Sequence, residues 1–354
     1  MNNEIYLNDS KKLNFRSVNK KNIHLGFSIL KNILAFYVIV SHCFNYNSTK
    51  NKIILFIVKR RKIHVPSFFI LSFYFNHNTL ISSDTQKKRN RFKRLLIPYL
   101  GWPIIIFIFN NILHYIKISR NFFSFKILII QLITGAKSGL FHFWFLLDLI
   151  LITFLFHLII FFFRQNYLFI LNLILLFSYF VQYSNISRIV IYYTYNYNAV
   201  SRIHEIIPYA VTGFTLSSLK VLKILDIYKI NSIIICLIIY NLVGNYEIFT
   251  KFFGVMYHGV KLNVISVCII IIFSFFPLKN IKSKILSGLL KYLTNYSAGI
   301  FYVHQVVQCY SNRFLYDIRK GNLLGIIMIY FISYLISISG SFIFKNTIAK
   351  NLFS

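Results

Sequence analysis

The chain has 354 residues, 57% of them hydrophobic, and its 39 Lys and Arg against 8 Asp and Glu give a formal net charge of +31. Soluble domains run at roughly 45–50% apolar and about 25% charged residues, whereas charged residues here make up 13% and the mean hydropathy is +0.62. These figures exclude intrinsic disorder, which needs low hydrophobicity, and an ordinary soluble globule, whose core could not enclose this much Phe, Ile, Leu and Tyr.

The cations sit in short clusters between long apolar runs. That pattern suits anionic headgroups or a polyanionic ligand, not a nucleic-acid surface. Residues 1–22 read as a polar, basic tail. The first apolar run is too long for the core of a cleavable signal peptide, so it reads as a retained first span. A spanning helix needs about 20 mainly apolar residues. On that template ten spans are expected, near 23–43, 65–82, 95–116, 140–163, 167–183, 203–219, 229–244, 262–278, 297–311 and 322–345. The second, sixth, seventh and ninth are short or polar. Residues 120–133 are apolar between loop signals, which suits a re-entrant or interfacial segment. The expected fold is an all-α polytopic transmembrane bundle over 23–345, with no separate soluble domain and a short C-terminal tail at 346–354.

Ten spans leave both termini on one side. Lys and Arg slightly favour a cytoplasmic N-terminus, although Lys59-Arg60-Arg61-Lys62 then falls outside, unless it belongs to an interfacial helix around 53–62.

Of the carboxylates, only Asp148 and Glu205 lie within expected spans. Ionisable groups at membrane depth mark a cavity, a pairing or a site. Nothing in the sequence brings these two together as a glycosidase pair would require. His42, His142, His157, His204 and His304 lie in or near span ends. There is no H-E-x-x-H and no metal-ligand spacing, so no metal is expected. Cys43, Cys236, Cys268 and Cys309 show no C-x-x-C and read as apolar fillers.

One pair shares a helix face. Lys31 and His42 in ILKNILAFYVIVSHCF are eleven residues apart, which is about 20° around a helix and about 16 Å along it. A mid-span lysine faces protein, water or an anion, or else snorkels to the headgroups. In the second case His42 is an interfacial residue.

A cation, ten residues and a histidine on the first span resemble the signature of the membrane acyltransferase-3 family, with Lys31 in place of the usual arginine. Further blocks follow in family order. VPSFFILSFYF matches through Phe68, Phe69 and Ser72, with Phe73 in place of the usual glycine. KKRNRFKRLLIPYL matches through Arg91, Arg94 and Pro98. FHFWFLLDL matches through His142, Trp144, Phe145 and Leu146. IPYAVTGFTL matches through Pro208, Tyr209 and Gly213, and SAGIFYVHQ through Ser297, Gly299, Tyr302 and His304.

The resemblance implies an integral-membrane O-acyltransferase of a surface polysaccharide or its lipid-linked precursor. The implied donor is acetyl-CoA, a substrate and not a bound cofactor. It implies His42 in catalysis, as general base, with Lys31 on donor phosphate or oxyanion. Arg91 and Arg94 are then donor-binding residues. His142, Trp144, Ser72, His304 and Glu205 are supporting residues. Glu205, with His204, forms a polar cluster or a helix-terminus pair, and Asp148 is a candidate counter-charge for Lys31. The aromatic stretch YYTYNY at 192–197 suits either sugar contact or an interfacial belt.

The expected home is a bacterial inner membrane, and the expected partners are acyl-CoA, the glycan acceptor, the bilayer and a further protein that completes the transfer. The competing readings are a glycan flippase or transporter, and a glycan polymerase. Transporters show internal repeats or paired broken helices, which the sequence lacks. Polymerases carry a large external loop, and the gaps here are short.

Overall fold

The computed structural model describes residues 20–43, 63–117, 123–135, 143–184, 203–245, 259–275, 288, 292–314 and 323–352. All their regular structure is helical. In chain order the helices are α1 (Lys20–Cys43), α2 (His64–Ile81), α3 (Thr85–Tyr115), α4 (Phe125–Thr134), α5 (Trp144–Phe162) and α6 (Tyr167–Tyr183). They continue as α7 (Ile203–Ser218), α8 (Val221–Ile227), α9 (Lys229–Asn245), α10 (Val260–Phe275), α11 (Ser297–Phe314) and α12 (Leu323–Ile343), ending in a 3-10 turn at Ile348–Leu352.

Among the described residues, three helices are long and apolar enough to cross a membrane: Thr85–Tyr115, Trp144–Phe162 and Leu324–Ile343. Gly26–His42, Phe125–Thr134, Tyr167–Gln182, Lys229–Val243 and Val260–Phe275 are shorter apolar helices. The bundle is all-helical, as expected, and of the ten expected spans three are clear among the described residues. The shorter apolar stretches rise at most about 25 Å, against a hydrocarbon core of about 30 Å, although α1 itself begins earlier, at Lys20.

The outer faces are nevertheless apolar. On α6, Phe169, Leu173, Leu176, Phe177 and Phe180 form one exposed stripe while Leu171 is buried. On α9, Ile230, Ile234, Ile238 and Leu242 are exposed at similar spacing. Continuous stripes of this kind suit lipid and not water.

The core is built on α2, which packs along α7. Gly213 makes that approach possible, because a Cβ there would overlap the Ile70 carbonyl. Small residues are what let helices in membranes approach closely. Phe73 stands one turn further along α2. It is fully buried and meets Phe156 of α5 at 4.8 Å between ring centroids, so the larger residue fills space between α2 and α5.

Ring contacts set the directions. Phe27 meets Phe75, and Tyr37 meets His64, so α1 and α2 are antiparallel. Phe92 meets His157, and Tyr99 is an electrostatic neighbour of Asp148, so α3 and α5 are antiparallel. The start of α1, the end of α2, the start of α3 and the end of α5 therefore share one end of the bundle.

α3 opens on a cap: Asp84 accepts from the amides of Gln86 at 2.9 Å and Lys87 at 3.2 Å. Pro98 and Pro103 interrupt its ladder, each withdrawing one N–H. α4 is ten residues long and rises about 15 Å, too short to span. Gly135 ends it in the left-handed region with φ 65°, a conformation glycine adopts without strain. Residues 348–352, within the expected C-terminal tail, pack on α3, where the Trp102 indole donates to the Leu352 carbonyl at 2.9 Å.

Candidate active site

α1 and α11 run parallel and bring His42 beside His304, with ring centroids 5.4 Å apart and planes inclined by 38°. The two rings differ in setting. His42 is exposed, whereas His304 is fully buried. The His304 Nδ1–H donates to the Ile300 carbonyl at 3.1 Å, which in the neutral ring makes Nε2 the acceptor nitrogen. Gln308, one turn along α11, donates to the His42 carbonyl at 2.9 Å and ties down the last turn of α1.

Beneath the histidines lies an aromatic layer. Phe301 meets His304 at 6.0 Å and Phe145 at 4.9 Å. Phe145 in turn meets Phe69 at 4.7 Å. Trp144 is buried edge-on against Phe145, with ring centroids 6.3 Å apart.

Beyond this layer, towards the start of α3, the cations gather. Arg91 donates from a terminal guanidinium nitrogen to the Ser72 hydroxyl at 2.8 Å. The Tyr302 phenol is its electrostatic neighbour. The expected donor-binding residue Arg91 and the expected supporting residue Ser72 are therefore joined directly. Arg94 lies on the flank of the same helix and is exposed.

Lys31 and His42 are not brought together. Lys31 is half-buried and lies over the Phe75 ring of α2, 4.8 Å from its centroid. This is a cation–π contact worth roughly 0.5–2 kcal/mol. Lys31 and Arg91 thus approach the same stretch of α2, at Phe75 and Ser72, from opposite neighbours. Asp148 is not the counter-charge of Lys31: it is fully buried on α5 beside Tyr99 of α3, whereas Lys31 engages Phe75.

Glu205 is buried in the first turn of α7, where the helix dipole favours a carboxylate. Parallel packing of α2 and α7 puts it at the His42 end of the bundle. The neighbouring His204 carbonyl accepts from Gln182 at 2.9 Å. His142, the run at 59–62 and the aromatic stretch at 192–197 lie outside the described residues.

Sequence reasoning does not single out Gln308 or Phe75, and it marks His157 only as a histidine near a span end. Gln308 follows His304 by four residues, which is a signal of a shared helix face. Phe75 and His157 have only their apolar neighbours as context, and their contacts come from other helices.

The fold and this arrangement define a membrane-embedded helical protein with an accessible imidazole at one level and, at another, cations that have no carboxylate partner among the described residues. The chain belongs to the acyltransferase-3 family: the family model, described as an acyltransferase domain, matches residues 24–345. It is accordingly a membrane acyltransferase. No curated protein and no solved structure matches it.

Proposed function

We propose that the protein transfers an acetyl group from acetyl-CoA to a hydroxyl of a surface polysaccharide or its lipid-linked precursor. The observation that carries this reading is the pairing of exposed His42 with buried His304, separated by an aromatic layer from the Arg91 cluster. The reading sets the acceptor at the histidines and the donor phosphates at the cations.

His42 takes the proton of the acceptor hydroxyl as its oxygen attacks the thioester carbonyl carbon. The tetrahedral oxyanion collapses and the C–S bond breaks. The thiolate leaves and takes the proton back from the imidazolium. An imidazole suits both transfers near neutral pH. His304 packs on His42 and orients it. Trp144, Ser72, Glu205 and His142 support the site.

Lys31 lies about 16 Å from His42 along α1, so the reading gives it to the donor and not to the oxyanion. The donor's long pantetheine arm bridges the two levels. Such a donor enters from the cytoplasm of a bacterium, through an inner membrane, with the start of α1 on the cytoplasmic side.

The test is donor dependence. Membranes containing the protein, supplied with labelled acetyl-CoA, are expected to label glycolipid or polysaccharide. Acceptor modification or export that proceeds without any acyl-CoA contradicts the reading and favours transport.

A further inference from the structure

We propose that His157 belongs, with Arg91 and Lys88, to a phosphoryl-anion subsite on the α3–α5 face. The identification of its ligand as the acyl donor rests on the function proposed above.

Lys88, Arg91, Phe92 and Leu95 follow at helical spacing and share one face of α3. Leu95 is buried, so this face turns inward. Phe92 meets the His157 ring at 5.5 Å, which brings the imidazole of α5 onto that face. Lys88 and Arg91 are its electrostatic neighbours.

The polar atoms there are left over. Both His157 ring nitrogens are buried without a hydrogen-bond partner, and so is Nε of Arg91. A packing histidine in the same molecule looks different: His77 pairs Nε2 with the Ser218 hydroxyl at 2.7 Å and Nδ1 with the Asn78 amide oxygen at 3.2 Å.

The charge is left over as well. Among the described residues no carboxylate pairs with Lys88, Arg91 or His157; Asp84 pairs with Lys87 instead, at 3.5 Å. Any neutral imidazole keeps one N–H donor. A buried donor without a partner is costly, and a phosphoryl oxygen supplies both the acceptor and the missing negative charge. A diphosphate spans more than one of these donors at once.

The test uses the full-length protein in lipid nanodiscs. Binding of CoA and, separately, of inorganic pyrophosphate is measured by calorimetry. His157→Phe keeps the ring packing against Phe92 but has no N–H. It is expected to weaken both ligands about tenfold, the scale of one hydrogen bond to a charged group, with an unchanged melting temperature. His157→Gln restores a donor and is expected to recover most of the affinity.

Equal CoA binding by wild type and His157→Phe overturns the subsite and leaves the acyltransferase reading standing. Pyrophosphate binding that needs His157, in a protein that does not bind CoA, upholds the subsite and overturns the donor assignment. Binding of neither ligand overturns both.

Discussion

His42 and His304 carry the same side chain in opposite surroundings, and their expected roles follow from that. An exposed ring reaches an acceptor, whereas a buried ring with Nδ1 committed to the Ile300 carbonyl holds its neighbour in place. His304→Ala is therefore expected to lower kcat while leaving the donor KM unchanged, as steady-state kinetics would show. A matching rise in donor KM would remove it from the acceptor side. The two arginines separate in the same way. Arg91→Ala is expected to raise the donor KM about tenfold, the scale of a buried charged hydrogen bond. Arg94→Ala should do much less, because an exposed cation is screened. At this scale the sequence was partly legible. His42, Ser72, Arg91 and His304 stand in ordered blocks, and the fold joins them in pairs. The partner of Lys31 was not legible, because Phe75 reaches it across a helix interface that no spacing within α1 encodes.

Among the elements, the α2–α7 contact has the least tolerance. Gly213→Ala is expected to destabilise the protein by about 1–3 kcal/mol, the usual cost of overpacking, since the added methyl meets the Ile70 backbone. A thermal melt in detergent checks this, and an unchanged melting temperature would show that the helices part freely. The cap of α3 sets a pH dependence. The Lys87 amide, and then the Gln86 amide, hold the Asp84 carboxyl below its usual value of 3.8. A depressed carboxyl stabilises the helix start above that value, and the contribution is lost as pH falls through the lower folded value. Proteolysis near residues 82–88 should rise in acid for wild type, and Asp84→Ala should show that raised cleavage already at neutral pH. Hydrophobic runs announced the helices well. They mark ten stretches, of which three are clear spans among the described residues, because an apolar run marks burial in either protein or lipid, and α7 and α10 spend much of their surface on protein neighbours.

For the whole molecule, antiparallel α1 and α2 put residues 82–84 at the end where α1 begins. A single cysteine at Ser83, in a chain with its native cysteines replaced, is expected to be labelled by a membrane-impermeant maleimide in inverted vesicles and not in intact cells. Labelling in intact cells would reverse the proposed orientation and separate the Arg91 cluster from cytoplasmic CoA. The excess of cations over carboxylates then takes on meaning at the donor side, where Arg91 and Lys88 have no acidic partner among the described residues. On the proposed reading, His42 carries the proton in acyl transfer at the far side of the aromatic layer. It is tested most directly by transfer of label from acetyl-CoA to glycan, compared between wild type and His42→Ala at equal protein levels. His42→Ala is expected to lose at least about a hundredfold, the scale of a missing general base. Equal transfer by both proteins would contradict it and take His42 out of the chemistry.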